Sequence, residues 1–160
     1  MHFERNDIVF LNTLTNLRWL AIVGQSAAVF IGTVMIELEL NIIYCLSLIF
    51  SSLIFNIFSI LYFPSSKRLS EKSILSVLMF DLLQLSALLY LCGGLTNPFA
   101  VLILAPVTIA ATLLPIVPTV FLCISAVISV SILSYLHIPL ELSGGKLLLL
   151  PDTLMFGIWV

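Results

Sequence analysis

Asn97 and Pro98 follow the pair Gly93-Gly94 after only two intervening residues, and Phe99 comes next. Each of these types has a physical job at that spacing. The two glycines accept positive φ and let a ligand or a second backbone come close. Asn is a favoured N-cap, and Pro at the first helical position lacks an N–H that would go unbonded there anyway. The stretch 92–99 therefore predicts a turn that delivers a capped helix N-terminus, with orphan N–H groups and the positive end of a helix dipole. The chemistry open to such a corner is non-covalent recognition of a carbonyl or anionic oxygen by the helix N-terminus that Asn97 and Pro98 open.

Asp81 is the second chemical signal. It stands about a third of the way into an apolar run, where an ionisable group costs roughly 2.5–3.5 kcal/mol on insertion scales and is usually functional or paired inward. Gln84 lies three residues on, on the same helical face, and Ser86 and Tyr90 continue polar positions towards the turn. The structural alternatives are a clamp between helices, with Asn56 or Thr108 as partner, and an Asp that snorkels to the interface. Pro106 removes a backbone bond and frees a carbonyl one turn back, for Thr108 or a neighbouring helix to satisfy. It is read as a kink ahead of a hinge, and with Asp81 and Gln84 it forms the possible coupling set. His137 is expected at an interface. Cys45, Cys92 and Cys123 are odd in number and fit no metal spacing, so they read as buried apolar thiols. No nucleophile–base set, metal cluster, phosphate loop or CxxC is present, so no residue is assigned to catalysis and no metal is expected.

The elements that hold these residues are set by composition. Of 160 residues, 61% are hydrophobic and 9% charged, against about 25% charged in soluble domains, and the mean hydropathy is +1.25. Such a chain cannot cover itself with polar surface and is read as an integral membrane protein. The net charge of -2 comes with no basic patch, which excludes nucleic acid as a partner. The N-terminus has no signal-peptide form. A span needs about 20 apolar residues. Runs at 17–36, 41–63, 73–91, 98–114 and 119–136 meet or approach this, the last after a Pro115/Pro118 turn, and a loop with Glu141, Gly144, Gly145 and Lys146 follows. A sixth run starts at 153–160, where eight residues make about 12 Å of helix against a core of roughly 30 Å. The expected fold is all-α: a polytopic transmembrane helix bundle of five complete spans plus the start of a sixth. Residues 1–16 form an N-terminal segment and 17–160 a membrane domain cut within its sixth helix, as in a fragment or truncated product.

Basic residues give an orientation. Arg5, Arg18, Lys67, Arg68 and Lys72 fall on one side and only Lys146 on the other. The positive-inside rule then places the N-terminus in the cytoplasm and the 93–99 turn outside. Gly24, Ala28 and Gly32 in the first span, and Ser125 and Ser129 in the fifth, form small-residue rows expected at helix interfaces. No internal repeat supports an inverted-repeat transporter.

The stretch Gly93-Gly94-Leu95-Thr96-Asn97-Pro98-Phe99 resembles GGxxNPF, the signature heptapeptide in the membrane domain of RegB/PrrB/ActS-type redox-sensing histidine kinases. Asp81-Leu82-Leu83-Gln84-Leu85 and Ala105-Pro106-Val107-Thr108 are similar to the family's third and fourth spans. Leu17-Arg18-Trp19-Leu20-Ala21 with Gly24-Gln25 resembles its first, and Gly157-Ile158-Trp159 the start of its sixth. The likeness covers nearly the whole chain.

That resemblance implies a six-helix sensor domain in a bacterial inner membrane, followed in the family by a cytoplasmic phosphotransfer and ATP-binding core. It implies ubiquinone as the sensed ligand near the heptapeptide, a homodimer, and a response regulator reached through a kinase core that lies outside these residues. A quinone head group needs an apolar slot, donors for two carbonyls and a flat aromatic neighbour, which Thr96, Asn97 and Phe99 are placed to offer. Three rival readings remain. A small transporter or channel subunit would line a path with Asp81 and Gln84. A membrane enzyme acting on lipid would need a carboxylate or histidine cluster that is absent. A non-functional truncated remnant would do neither.

Overall fold

The computed structural model describes residues 4–35, 37–62, 70–142 and 146–147. Among them run five α-helices: α1 Glu4–Val34, α2 Ile42–Tyr62, α3 Glu71–Leu91, α4 Leu104–Leu113 and α5 Ile116–Tyr135. Two 3₁₀ segments, Gly94–Thr96 and Pro98–Ile103, stand between α3 and α4. The expected helical bundle is what forms. Four helices are long and apolar enough to cross a membrane: Leu14–Val34 within α1, Ile42–Leu61, Glu71–Leu91 and Ile116–Tyr135.

Several boundaries differ from those read in the sequence. α1 begins at Glu4, so most of the 1–16 segment is continuous with the first span; it contains no Gly or Pro to stop a helix. α3 starts at Glu71 because Ser70 caps it, its hydroxyl oxygen accepting the Ser73 N–H at 3.2 Å. α5 starts at Ile116, ahead of the expected 119. Pro118 falls in the first turn, where no intrahelical N–H bond is required.

The fourth run is shorter than expected. Its sixteen residues, Pro98–Leu113, are part 3₁₀ and part α, giving roughly 27 Å of rise against a core of about 30 Å. Pro106 marks the seam. It cannot donate to Leu102, whose carbonyl accepts from the Leu104 N–H instead. The Thr108 hydroxyl, expected to serve the freed carbonyl, donates to Ala105 O at 2.9 Å. After α5 the expected loop contains a two-rung antiparallel ladder, β1 Glu141–Leu142 with β2 Lys146–Leu147. The sixth run lies outside the described residues.

α3 is the axis of the bundle. It packs on α2, α4, α5 and both 3₁₀ segments. Within its most apolar window 39% of residues are buried, against 17–28% in the other spans. The reason is a leucine stripe, Leu78, Leu82, Leu85 and Leu89, at helical spacing. It meets Ile103, Ala110, Leu122, Ala126 and Leu133. A second cluster joins Ile22 and Val29 of α1, Cys45 and Ile49 of α2, and Leu88 and Cys92 at the end of α3. Large apolar side chains such as Leu20, Phe30, Ile43, Leu61 and Val127 cover the outside, as a lipid-facing surface requires. The small-residue row of α1 makes no helix contact at Gly24, which has open space beside it, while Gly32 faces Leu38 and Leu40 of the following loop.

Candidate functional site

The turn after α3 makes several hydrogen bonds within itself. Gly93 has φ +92° and Gly94 φ +58°, left-handed values that carry the chain out of α3. Thr96 binds Gly93 O twice, through its N–H at 3.1 Å and its hydroxyl at 2.6 Å. Asn97 is the predicted cap: its Oδ1 accepts the Phe99 N–H at 2.9 Å, and its Nδ2 donates to Cys92 O at 2.8 Å. Its carbonyl accepts the Ala100 N–H at 2.9 Å.

One expectation about this corner is corrected by that bonding, and one of two alternatives left open at the glycines is taken. The orphan N–H groups foreseen at the helix start are used, by the Asn97 side chain and carbonyl. The close approach permitted by the glycines is used by the protein's own chain. A Cβ on Gly93 would lie 2.7 Å from Leu140 Cγ, and one on Gly94 would lie 2.6 Å from His137 Cβ and 2.9 Å from Leu133 O. The segment after α5 is held there by Ile138 N–H on Tyr90 O at 2.9 Å. His137, read as interfacial, is half-buried against the turn with Nδ1 3.1 Å from Leu133 O. What the corner still presents outward is Pro98 and Phe99, the latter 48% exposed, with Asn97 half-buried beside them.

Asp81 and Gln84 lie elsewhere. Asp81 stands twelve positions before Gly93, about 18 Å at helical rise. Asp81 is paired with Arg18 of α1: Nε donates to Oδ1 and an Nη to Oδ2, both at 2.8 Å. The guanidinium is buried and sits 5.0 Å over the Phe55 ring, which stacks on Phe80 at 4.0 Å. One tie therefore spans α1, α2 and α3. Gln84 and Gln25 exchange amide bonds, Gln84 Nε2 to Gln25 Oε1 at 3.1 Å and the reverse at 3.5 Å. The clamp partners proposed for Asp81 were wrong: Thr108 bonds its own helix, and Asn56, fully buried, has neither amide atom bonded among the described residues. Arg18, which the charge count uses only to orient the chain, is therefore the partner that the sequence reading missed. The signal that could have found it is its place at the start of an apolar run, since a cation there needs an anion.

Sequence spacing also missed a thiol pair. Cys45 and Cys92, 47 residues apart, bring their Sγ atoms to 3.7 Å. Among the described residues no group of acidic, His or Cys side chains could hold a metal.

A sensor histidine kinase RegB from Cereibacter sphaeroides is 42% identical to this chain over 156 residues, 98% of the chain and 34% of that protein. A second Cereibacter sphaeroides protein of the same name is 44% identical over 82 residues, 51% of the chain and 18% of that protein. No family model matches the chain, and no solved structure matches it. The chain spans about a third of the length of the first relative.

Proposed function

We propose that this chain, a homologue of the RegB-type sensor histidine kinases over a RegB-type membrane sensor region, senses the redox state of the membrane quinone pool at its Asn97–Pro98–Phe99 corner. The observation that carries the reading is a turn bonded through Thr96 and Asn97 that leaves Phe99 about half exposed. A quinone ring stacks on Phe99 while Asn97 donates to one carbonyl. Gly93, Gly94 and Thr96 act by building the corner, without touching the ligand. The quinone is a sensed ligand, and no metal is involved.

Signalling follows from α3. It begins at one face of the membrane and ends at the corner. Midway it holds α1 through Arg18–Asp81 and Gln25–Gln84, while Pro106 divides the segment that leaves the corner. Quinone and quinol must favour different helix arrangements, since equal affinity would shift nothing. Small displacements of packed helices then pass to a cytoplasmic kinase core, its autophosphorylation and its response regulator. The parent protein works as a homodimer in a bacterial inner membrane. Without Arg18, which is paired inside the bundle, Arg5, Lys67, Arg68 and Lys72 still oppose Lys146, which supports a cytoplasmic N-terminus. The locked Arg18–Asp81 pair argues against a transport path lined by Asp81.

The test is quinone binding to the chain in lipid nanodiscs. Saturable binding that Phe99→Ala and Asn97→Asp each weaken supports the reading; equal binding by parent and both variants, all folded by circular dichroism, sinks it.

A further inference from the structure

Cys45 lies in the first turn of α2 and Cys92 directly follows α3. The two helices are antiparallel neighbours, so both thiols stand at the end of the bundle that holds the Gly93–Gly94 turn. Cys45 is fully buried and Cys92 nearly so, inside the cluster of Ile22, Val29, Ile49 and Leu88. Their Sγ atoms are 3.7 Å apart. A disulfide is closed by about 1.7 Å of further approach of the two sulfurs. The apolar surroundings favour an electron acceptor that dissolves in lipid. On the proposed orientation this end also faces the oxidising compartment.

We infer that Cys45 and Cys92 form an intramembrane redox dithiol that closes to a disulfide with a lipid-soluble quinone as acceptor. Both S–H bonds break and one Sγ–Sγ bond forms. The two electrons and two protons pass to the quinone, which becomes the hydroquinone. The pairing rests on its own geometry; the choice of quinone as acceptor rests on the proposed function. Closure would fix the start of α2 to the residue preceding Gly93, and so lock the bundle end that carries the sensing corner.

The experiment uses the chain in nanodiscs, reduced and then freed of reductant without air. One arm receives a short-chain ubiquinone analogue and another copper–phenanthroline; thiols are alkylated after denaturation and peptides are weighed. Of three cysteines, two are expected to be lost in both arms as a linked Cys45–Cys92 peptide, with Cys123 alkylated throughout. Cys45→Ser and Cys92→Ser should each abolish the link and leave the other thiols free. Absence of the link in the copper arm overturns the dithiol. A link in the copper arm alone overturns quinone as its acceptor. In Phe99→Ala the copper arm should still close the pair, so loss of quinone binding there is separable from failure of the dithiol.

Discussion

Arg18 on α1 and Asp81 on α3 meet through two parallel hydrogen bonds of 2.8 Å, with 4% and 27% of their side-chain surfaces exposed. The fork geometry satisfies both carboxylate oxygens, as bidentate Arg pairs do. Removing one partner leaves an uncompensated charge in an apolar interior, which costs about 3–5 kcal/mol, whereas replacing both with apolar groups is far cheaper. Arg18→Leu and Asp81→Leu should therefore each destabilise strongly, and the double variant should recover most of the loss. Denaturant unfolding of the four proteins in detergent checks this; additive losses would refute it.

The glycines make a sharper pair of expectations. Gly93→Ala meets mainly the Leu140 side chain, and Gly94→Ala meets His137 Cβ and the Leu133 carbonyl. Both also force a left-handed backbone on Ala, a cost of order 1–3 kcal/mol. Adding Leu140→Ala should restore part of the stability of Gly93→Ala. Adding His137→Ala should not rescue Gly94→Ala, because a Cβ and a carbonyl stay in place. Thermal melts of the singles and doubles read the difference.

Asn97 and Phe99 should separate folding from binding. Asn97→Ala loses the cap and the bond to Cys92 O, a loss of about 1 kcal/mol for the cap alone. Phe99→Ala removes a half-exposed ring and should leave the melting temperature nearly unchanged. Its quinone affinity should fall roughly three- to tenfold, as expected for one stacking contact. Titration of both variants beside their melts is the measurement.

Asn56 offers a stabilising change. Its amide is buried with no hydrogen bond among the described residues, a penalty of about 1–3 kcal/mol. Asn56→Leu is expected to raise resistance to unfolding by that order. A lowered midpoint would mean that the amide has a partner in the native membrane.

By itself the sequence determined the class of fold and the chemistry of the corner. Long apolar runs in a chain with 9% charge leave membrane helices as the solution, because backbone groups in lipid must bond within their own segment. Asn97-Pro98 after two glycines is local chemistry, so cap and turn were legible from neighbours in the chain. Everything that depended on distant residues was decided by tertiary packing. Arg18 finds Asp81 across 63 positions, Cys45 finds Cys92 across 47, and His137 and Leu140 take the space beside the glycines. Helical periodicity names the face on which a residue stands. Which other face it meets depends on how helices assemble, and no local spacing encodes that.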